Sequence, residues 1–325
     1  SLGFPNHGDN LINNPRIHHN RVIHNGSGEQ GFTGGIGIFT AVNGSMIDHN
    51  LVCANGSMSS GGGIGHFGRN QGTTAYISHN DILFNWAFTQ GGGILIQGPP
   101  PANPADPSAG SGPVTIDSNL IQGNFGNGDG GGIAALHVGN DRIDVVNNMI
   151  VNNLTAEQGG AAVVQDAFNL TLMNNTIAKN NSTSTSGSFV LNPGAPHSAG
   201  LLIHRNTTPF QNSLPAGSKT ISDVSIFNNV FWDNDAYVWD AAGEVLTSIR
   251  PYDLDVFLST EKLTRVRDNL FTTLPVSIDP AARNMVGADP VFVNQYDNLL
   301  TGIAVRAAGE IALNPLGIPV TVLYS

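Results

Sequence analysis

One ten-residue phrase recurs along the chain and constrains the fold more than any other feature: x-Φ-x-x-Asn-x-Φ-x-x-Asn, with Φ apolar. It occurs as Ile17/Asn20/Val22/Asn25, Ile47/Asn50/Val52/Asn55, Ile77/Asn80/Ile82/Asn85 and Ile116/Asn119/Ile121/Asn124. It continues as Val145/Asn148/Ile150/Asn153, Leu172/Asn175/Ile177/Asn180 and Ile226/Asn229/Phe231/Asn234. In a last, weaker copy, Val266/Asn269/Phe271, Leu274 replaces the second Asn. The first Asn steps by 30, 30, 39, 29, 27, 54 and 40 residues. The base unit is therefore 27 to 30 residues, and the long steps hold insertions. "GPPPANPADPSAGSGP" (98–113) is a Pro/Gly loop, and residues 192–219 interrupt a later unit.

A second marker recurs within the units: "GGIGI" (34–38), "GGGIG" (61–65), "GGGIL" (91–95), "GGGIA" (130–134), "GGAAV" (159–163) and a degraded "SAGLLI" (198–203). Helices do not fit segments this short, punctuated by Asn and Gly at every boundary. Short strands separated by one- or two-residue bends do. Three such strands per unit predict an all-β chain: a right-handed parallel β-helix of about eight or more coils. The Ile, Val and Leu positions stack inward. A sharp bend suits a residue tolerant of left-handed backbone angles, which assigns that conformation to Asn20, Asn50, Asn80, Asn119, Asn148, Asn175, Asn229 and Asn269. Their amides then form a ladder from coil to coil.

The domain reading is one β-helix over residues 1–300, with loop insertions at about 97–113, 192–220 and 236–262. Residues 301–325 are expected to form a terminal strand or cap that continues into further chain. Charged residues are only 11% and the net charge is −11, which argues against a nucleic-acid partner. No apolar run approaches the roughly 18 residues of a membrane span. The single cysteine, Cys53, excludes an intrachain disulfide, and its place in the phrase, where other copies hold Ile23, Leu83 or Gln122, reads as structural.

The paired "NxΦxxN" and "GGGI" elements resemble the β-helix repeats of bacterial surface and secreted proteins in the pectin-lyase-like superfamily. They are similar to the repeats of polymorphic outer-membrane proteins. "GADPVFVNQYDN" (287–298) is similar to the segment that closes many such domains. The resemblance covers roughly residues 10 to 300 and implies an extracellular or cell-surface, secreted module. It also implies two classes of function. One is a structural or adhesive module acting as a rigid spacer, a binding surface or an assembly surface. Its partners would be neighbouring domains, other subunits or polysaccharide. The other is a polysaccharide lyase or glycoside hydrolase. The enzyme motifs of that superfamily are absent from the sequence: the only close Asp pairs are "DND" (233–235) and "DLD" (253–255), and "GHF" (65–67) is a weak echo. The leading expectation is the structural or adhesive module, without an assigned catalytic residue or a required cofactor.

His19, His49 and His79 each precede the first Asn in consecutive units, so their rings should stack at the inter-strand spacing. The favoured reading is a polar stack beside the Asn positions; the alternative is weak binding of a soft divalent metal. Calcium between units is a further option. Asp48 and Asp117 follow an inward apolar residue and should face outward. Trp86, Trp232 and Trp239 are candidates for a sugar-stacking surface.

Overall fold

A strand of three residues cannot hold itself; it must borrow every backbone partner from the next unit. The computed structural model describes residues 12–27, 32–39, 42–68, 73–183, 197–240 and 245–292. Within them the chain is 47% strand and 2% helix, so pairing between units carries the fold. The segment 301–325 and the second half of 287–298, residues 293–298, lie outside the described residues.

Stacked parallel sheets run the length of this region. The largest has 13 strands in two columns. One column includes Arg16–His18, Met46–Asp48, Ala75–Ser78 and Val114–Asp117; the other includes Ile36–Ile38, Ile64–Phe67, Ile94–Gln97, Leu201–His204 and Leu254–Phe257. The long strands Ile133–Val146 and Ala162–Met173 run through both and join them. A nine-stranded sheet begins at Arg21–Ile23 and Leu51–Cys53 and ends at Met285–Val286. An eight-stranded sheet of mostly two-residue strands ends in an antiparallel pair, Asp235–Asp240 with Val245–Pro251. The arrangement is compatible with a parallel β-helix.

The register matches the period of the sequence. Ile17, Ile47, Ile77, Ile116, Val145, Leu172, Ile226 and Val266 pair in one column. Val22, Val52, Ile82, Ile121, Ile150, Ile177 and Phe231 pair in a second. Both columns belong to one continuous apolar core, each buried side chain contributing about 1.5–3 kcal/mol. Cys53 pairs with Ile23 and Leu83 as the phrase requires.

The amides that repeat along the chain form an unbroken relay. Asn20, Asn50, Asn80, Asn119, Asn148, Asn175 and Asn229 each donate from Nδ2 to Oδ1 of the next, at 2.9–3.1 Å, reaching Asn269. A parallel relay links Asn25, Asn55, Asn85, Asn124, Asn153, Asn180 and Asn234. The first relay goes on to Asn284. The second ends on Asp253, which accepts from Asn234 in place of the missing Asn.

Two sequence expectations are corrected, the left-handed residue and the exposure of Asp48. The left-handed residue at each bend is not the Asn but the residue before it: His19, His49, His79, Ser118, Asn147, Asn174, Asn228 and Asp268 all have φ between 55° and 60°. The bend must turn the Asn amide inward, and that leaves the strained angle one residue earlier. Asp48 is buried, not outward in solvent, because Arg16 grips it through two hydrogen bonds of 3.0 and 2.8 Å and His49 adds a third. The 192–220 insertion contains the paired strand Leu201–His204 and the short helix Thr208–Ser213; its residues 192–196 lie outside the described residues. The 236–262 excursion is the antiparallel pair followed by another stacked strand, Leu254–Phe257. By contrast, 98–113 is free of strand and helix.

Asn148 donates to Ile116 O, Val146 O and Asn175 Oδ1 and accepts from the backbone and side-chain nitrogens of Asn119. Asn148→Ala should therefore lower stability by about 3 kcal/mol or more, since several buried groups lose partners together. Asn20→Ala, at the exposed first unit, should lower it by less than about 1 kcal/mol. Urea unfolding midpoints of the two variants check this.

Candidate functional site

The histidine column stacks as its spacing requires. The rings of His19 and His49, and of His49 and His79, lie 5.0 Å apart and within 3° of parallel. Parallel rings hold their nitrogen lone pairs in parallel planes, so they do not converge on one ion at the roughly 2.0–2.1 Å a metal bond requires. Among the described residues, no group of three or more His, Cys, Asp or Glu is placed to hold a metal ion. The column is a bend column: all three have φ 55°. His and Asn tolerate that angle better than β-branched residues. His79→Asn should keep the melting temperature, whereas His79→Val should cost about 1–2 kcal/mol; thermal melts of both distinguish a backbone role from a ring-specific one.

A different place gathers unsatisfied polar chemistry. The residues ahead of each glycine marker form their own column, with Ser59–Ser60, Thr89–Gln90, Gly128–Asp129 and Glu157–Gln158 in successive units. Backbone bonds fix one to the next: Gly61 N to Gln90 O at 2.9 Å, Gly91 N to Asp129 O at 3.1 Å and Gly130 N to Gln158 O at 3.0 Å. The tight turn requires glycine at two places. Gly130 has φ 70°, and a Cβ on Gly131 would sit 2.2 Å from Leu154 O. This loop column stands over the outer face of the sheet, where Leu95, Ala134, Val163 and Leu202 form a small second apolar cluster.

Between the loop column and the sheet lies a cleft of about 640 Å³. Beneath it Phe67, Gln97, Leu136 and Gln165 follow one another in register, and the same stacking carries on through His204 to Phe257. Phe67 and Phe257 are thus five strand steps apart, roughly 24 Å at about 4.8 Å per step. Asp129, Glu157, Gln158 and His204 line the cleft with Thr89, Gln90 and Gln97. Phe32 and Phe67 close one end and Phe257 the other. His204 and His197 both pack edge-on against Phe257, at 5.2 and 5.1 Å.

Burial sets the electrostatics. Asp129 Oδ2 lies 3.6 Å from His204 Nε2, and the two side chains are only 14% and 16% exposed. Loss of hydration pushes the Asp129 carboxyl up to about 7. The same loss, with His197 adding to it, pulls His204 down to about 4. Asp129 Oδ1, Gln158 Oε1, His197 Nε2 and His204 Nε2 are buried without a hydrogen-bond partner. Gln158 is 2% exposed and His197 8%.

The motifs singled out from sequence lie elsewhere. His66 of "GHF" faces the core and bonds Ser111 O at 3.2 Å. In "DND", Asp233 pairs with Lys179; in "DLD", Asp253 ends an amide relay and Asp255 accepts from Tyr252. Trp86 covers Gly56 in the eight-stranded sheet and Trp232 lies in the nine-stranded one. Neither lines the cleft; the side chain of Trp239 lies outside the described residues. The aromatic rings at the cleft are phenylalanines. The one sequence signal for this site is that residue types change ahead of the glycine marker from unit to unit more than the marker itself does.

A carboxyl raised from 3.8 to about 7 keeps its full folded-state preference below the lower value and loses it as pH climbs to the upper one. Asp129→Asn should therefore stabilise the fold by up to about 4 kcal/mol above pH 7, with little effect below about pH 4. Denaturant titrations at the two pH values measure the difference. No family model, curated protein or solved structure matches the chain, so the chemistry of the cleft rests on its own residues.

Proposed function

We propose that this chain is a right-handed parallel β-helix with an asparagine ladder, displayed outside the cell, that binds a polysaccharide along the cleft between Phe67 and Phe257. One observation carries the reading: Asp129, Gln158 and His204, each holding a buried polar atom without a hydrogen-bond partner, line one long cleft that ends in phenylalanine rings. Buried polar atoms are normally satisfied, and a cleft that leaves several open is completed by a ligand. Sugar hydroxyls both donate and accept, and the C–H faces of sugar rings pack on aromatic rings. A cleft spanning five strand steps suits a linear polymer better than a small molecule. The sequence resemblance to surface and secreted β-helices supports the extracellular setting and a binding or adhesive role.

A second reading, glycoside hydrolysis, is favoured by Asp129. A carboxyl that keeps its proton near neutral pH, in a cleft that also holds Glu157, is suited to protonate a leaving oxygen.

Affinity electrophoresis against a panel of polysaccharides tests the binding reading. At least one polymer should retard the protein, and Gln158→Ala should weaken that retardation about tenfold with an unchanged melting temperature. Absence of retardation by every polymer, or equal retardation of the variant, would overturn it. Release of reducing ends from the retarding polymer would select the hydrolytic reading.

A further inference from the structure

We propose that the cleft is built for a neutral glycan and excludes polymers of uronic acids. This rests on the polysaccharide reading of the cleft and names its substrate class. The acidic residues among those lining the cleft are Asp129 and Glu157; none of the lining residues is Lys or Arg. Recognition of a carboxylated sugar calls for an Arg fork, a Lys or a bound cation. His204 is the one basic group in the lining, and its burial keeps it neutral near pH 7. His197, behind Phe257, is shifted in the same direction by burial.

Among the described residues, six cationic side chains are engaged in ion pairs away from the cleft. Arg16 holds Asp48, Arg142 holds Asp144, Lys179 holds Asp233, Lys219 holds Asp223, and Arg267 and Arg283 share Asp268. Arg205 follows His204 but is exposed and does not line the cleft. The whole chain carries −11, which adds a general repulsion of polyanions at low salt.

The remaining lining suits uncharged sugars. Ser59, Ser60, Thr89, Gln90, Gln97 and Gln158 offer hydroxyls and amides. Buried Gln158, with its unpartnered Oε1, points to a ligand independently of the acidic pair. At one end Phe67 packs against Phe32 and stacks on Phe39, at 5.4 and 5.2 Å, and Phe39 remains 42% exposed. This extends an apolar platform out of the cleft mouth, on which an uncharged ring can lie without desolvating a carboxylate.

The test sets neutral polymers (a β-glucan, xylan, mannan and dextran) against polygalacturonate and alginate. Retardation is measured at low salt, with calcium and with a chelator. At pH 8.5, above the point where Asp129 loses its proton, a neutral polymer should bind at least about 100-fold more tightly than either polyuronate, as like-charge contact in a shielded cleft requires. The double variant Asp129→Asn/Glu157→Gln, checked for an unchanged fold by circular dichroism, should gain at least about tenfold in polyuronate affinity. Polyuronate binding by the natural protein as tight as that of any neutral polymer, in either condition, would overturn the inference and leave glycan binding intact. A double variant that rejects polyuronates as before would overturn it too, since the carboxyls would not be the cause. Failure of every polymer to bind would instead remove the polysaccharide reading beneath it.

Discussion

The stack depends on a side-chain amide placed at the inside of a bend. Where a three-residue strand ends, the backbone turns and its polar groups leave the strand pairing that served them. The Asn after the turn supplies what is missing: Asn148 donates to two carbonyls and to the next amide, and accepts from a backbone and a side-chain nitrogen of the previous unit. Asp lacks the donors and Gln is a methylene too long for a wall this close. The exception shows the rule. At Asp253 no amide follows, so an acceptor suffices, and its two oxygens take Asn234 Nδ2 and Thr272 N. The apolar columns and the bends are thereby locked to the same period, because both repeat with the one residue that joins them.

The period was legible because its causes are local. The same spacing that places Ile47 three residues before Asn50 also places Ile17 and Ile77 beside it, and the strand register follows it. The histidine stack was legible for the same reason. The left-handed residue was misassigned because Asn tolerates that conformation in general, whereas here its amide is committed inward and the neighbour takes the angle. The burial of Asp48 could not be read from its own strand, since its cover, Arg16, lies 32 residues away. The cleft was invisible for a stronger reason. Asp129, Gln158 and His204 are each solitary in their units, and only the stacking brings them onto one wall or floor.

A stacked fold separates what must repeat from what is free to vary. Gly130 and Gly131 are fixed by a left-handed angle and by a carbonyl that leaves no room for a Cβ. The residue immediately ahead meets neither demand. In successive units that position holds Phe32, Ser60, Gln90, Asp129, Gln158 and His197, six residues with five kinds of chemistry on one backbone path. On the proposed solenoid, this column is where a ligand can be specified without disturbing the frame, because each loop's backbone hydrogen bonds to the next whatever its side chain is.

The same burial that builds the wall also decides how it can recognise a ligand. It moves Asp129 and His204 in opposite directions, and in both cases toward the uncharged form. Two groups that would make an ion pair in water therefore face each other at 3.6 Å as a carboxylic acid and a neutral imidazole. The acid keeps a donor as well as an acceptor, and so does the imidazole. A pair of this kind meets a hydroxyl in either orientation, whereas a carboxylate meets it only as an acceptor. Charge would attract ions to this cleft; neutrality restricts it to groups that can exchange hydrogen bonds in both directions. Desolvation is thus the one cause behind the open polar atoms, the displaced proton affinities and the chemistry that can fill the cleft.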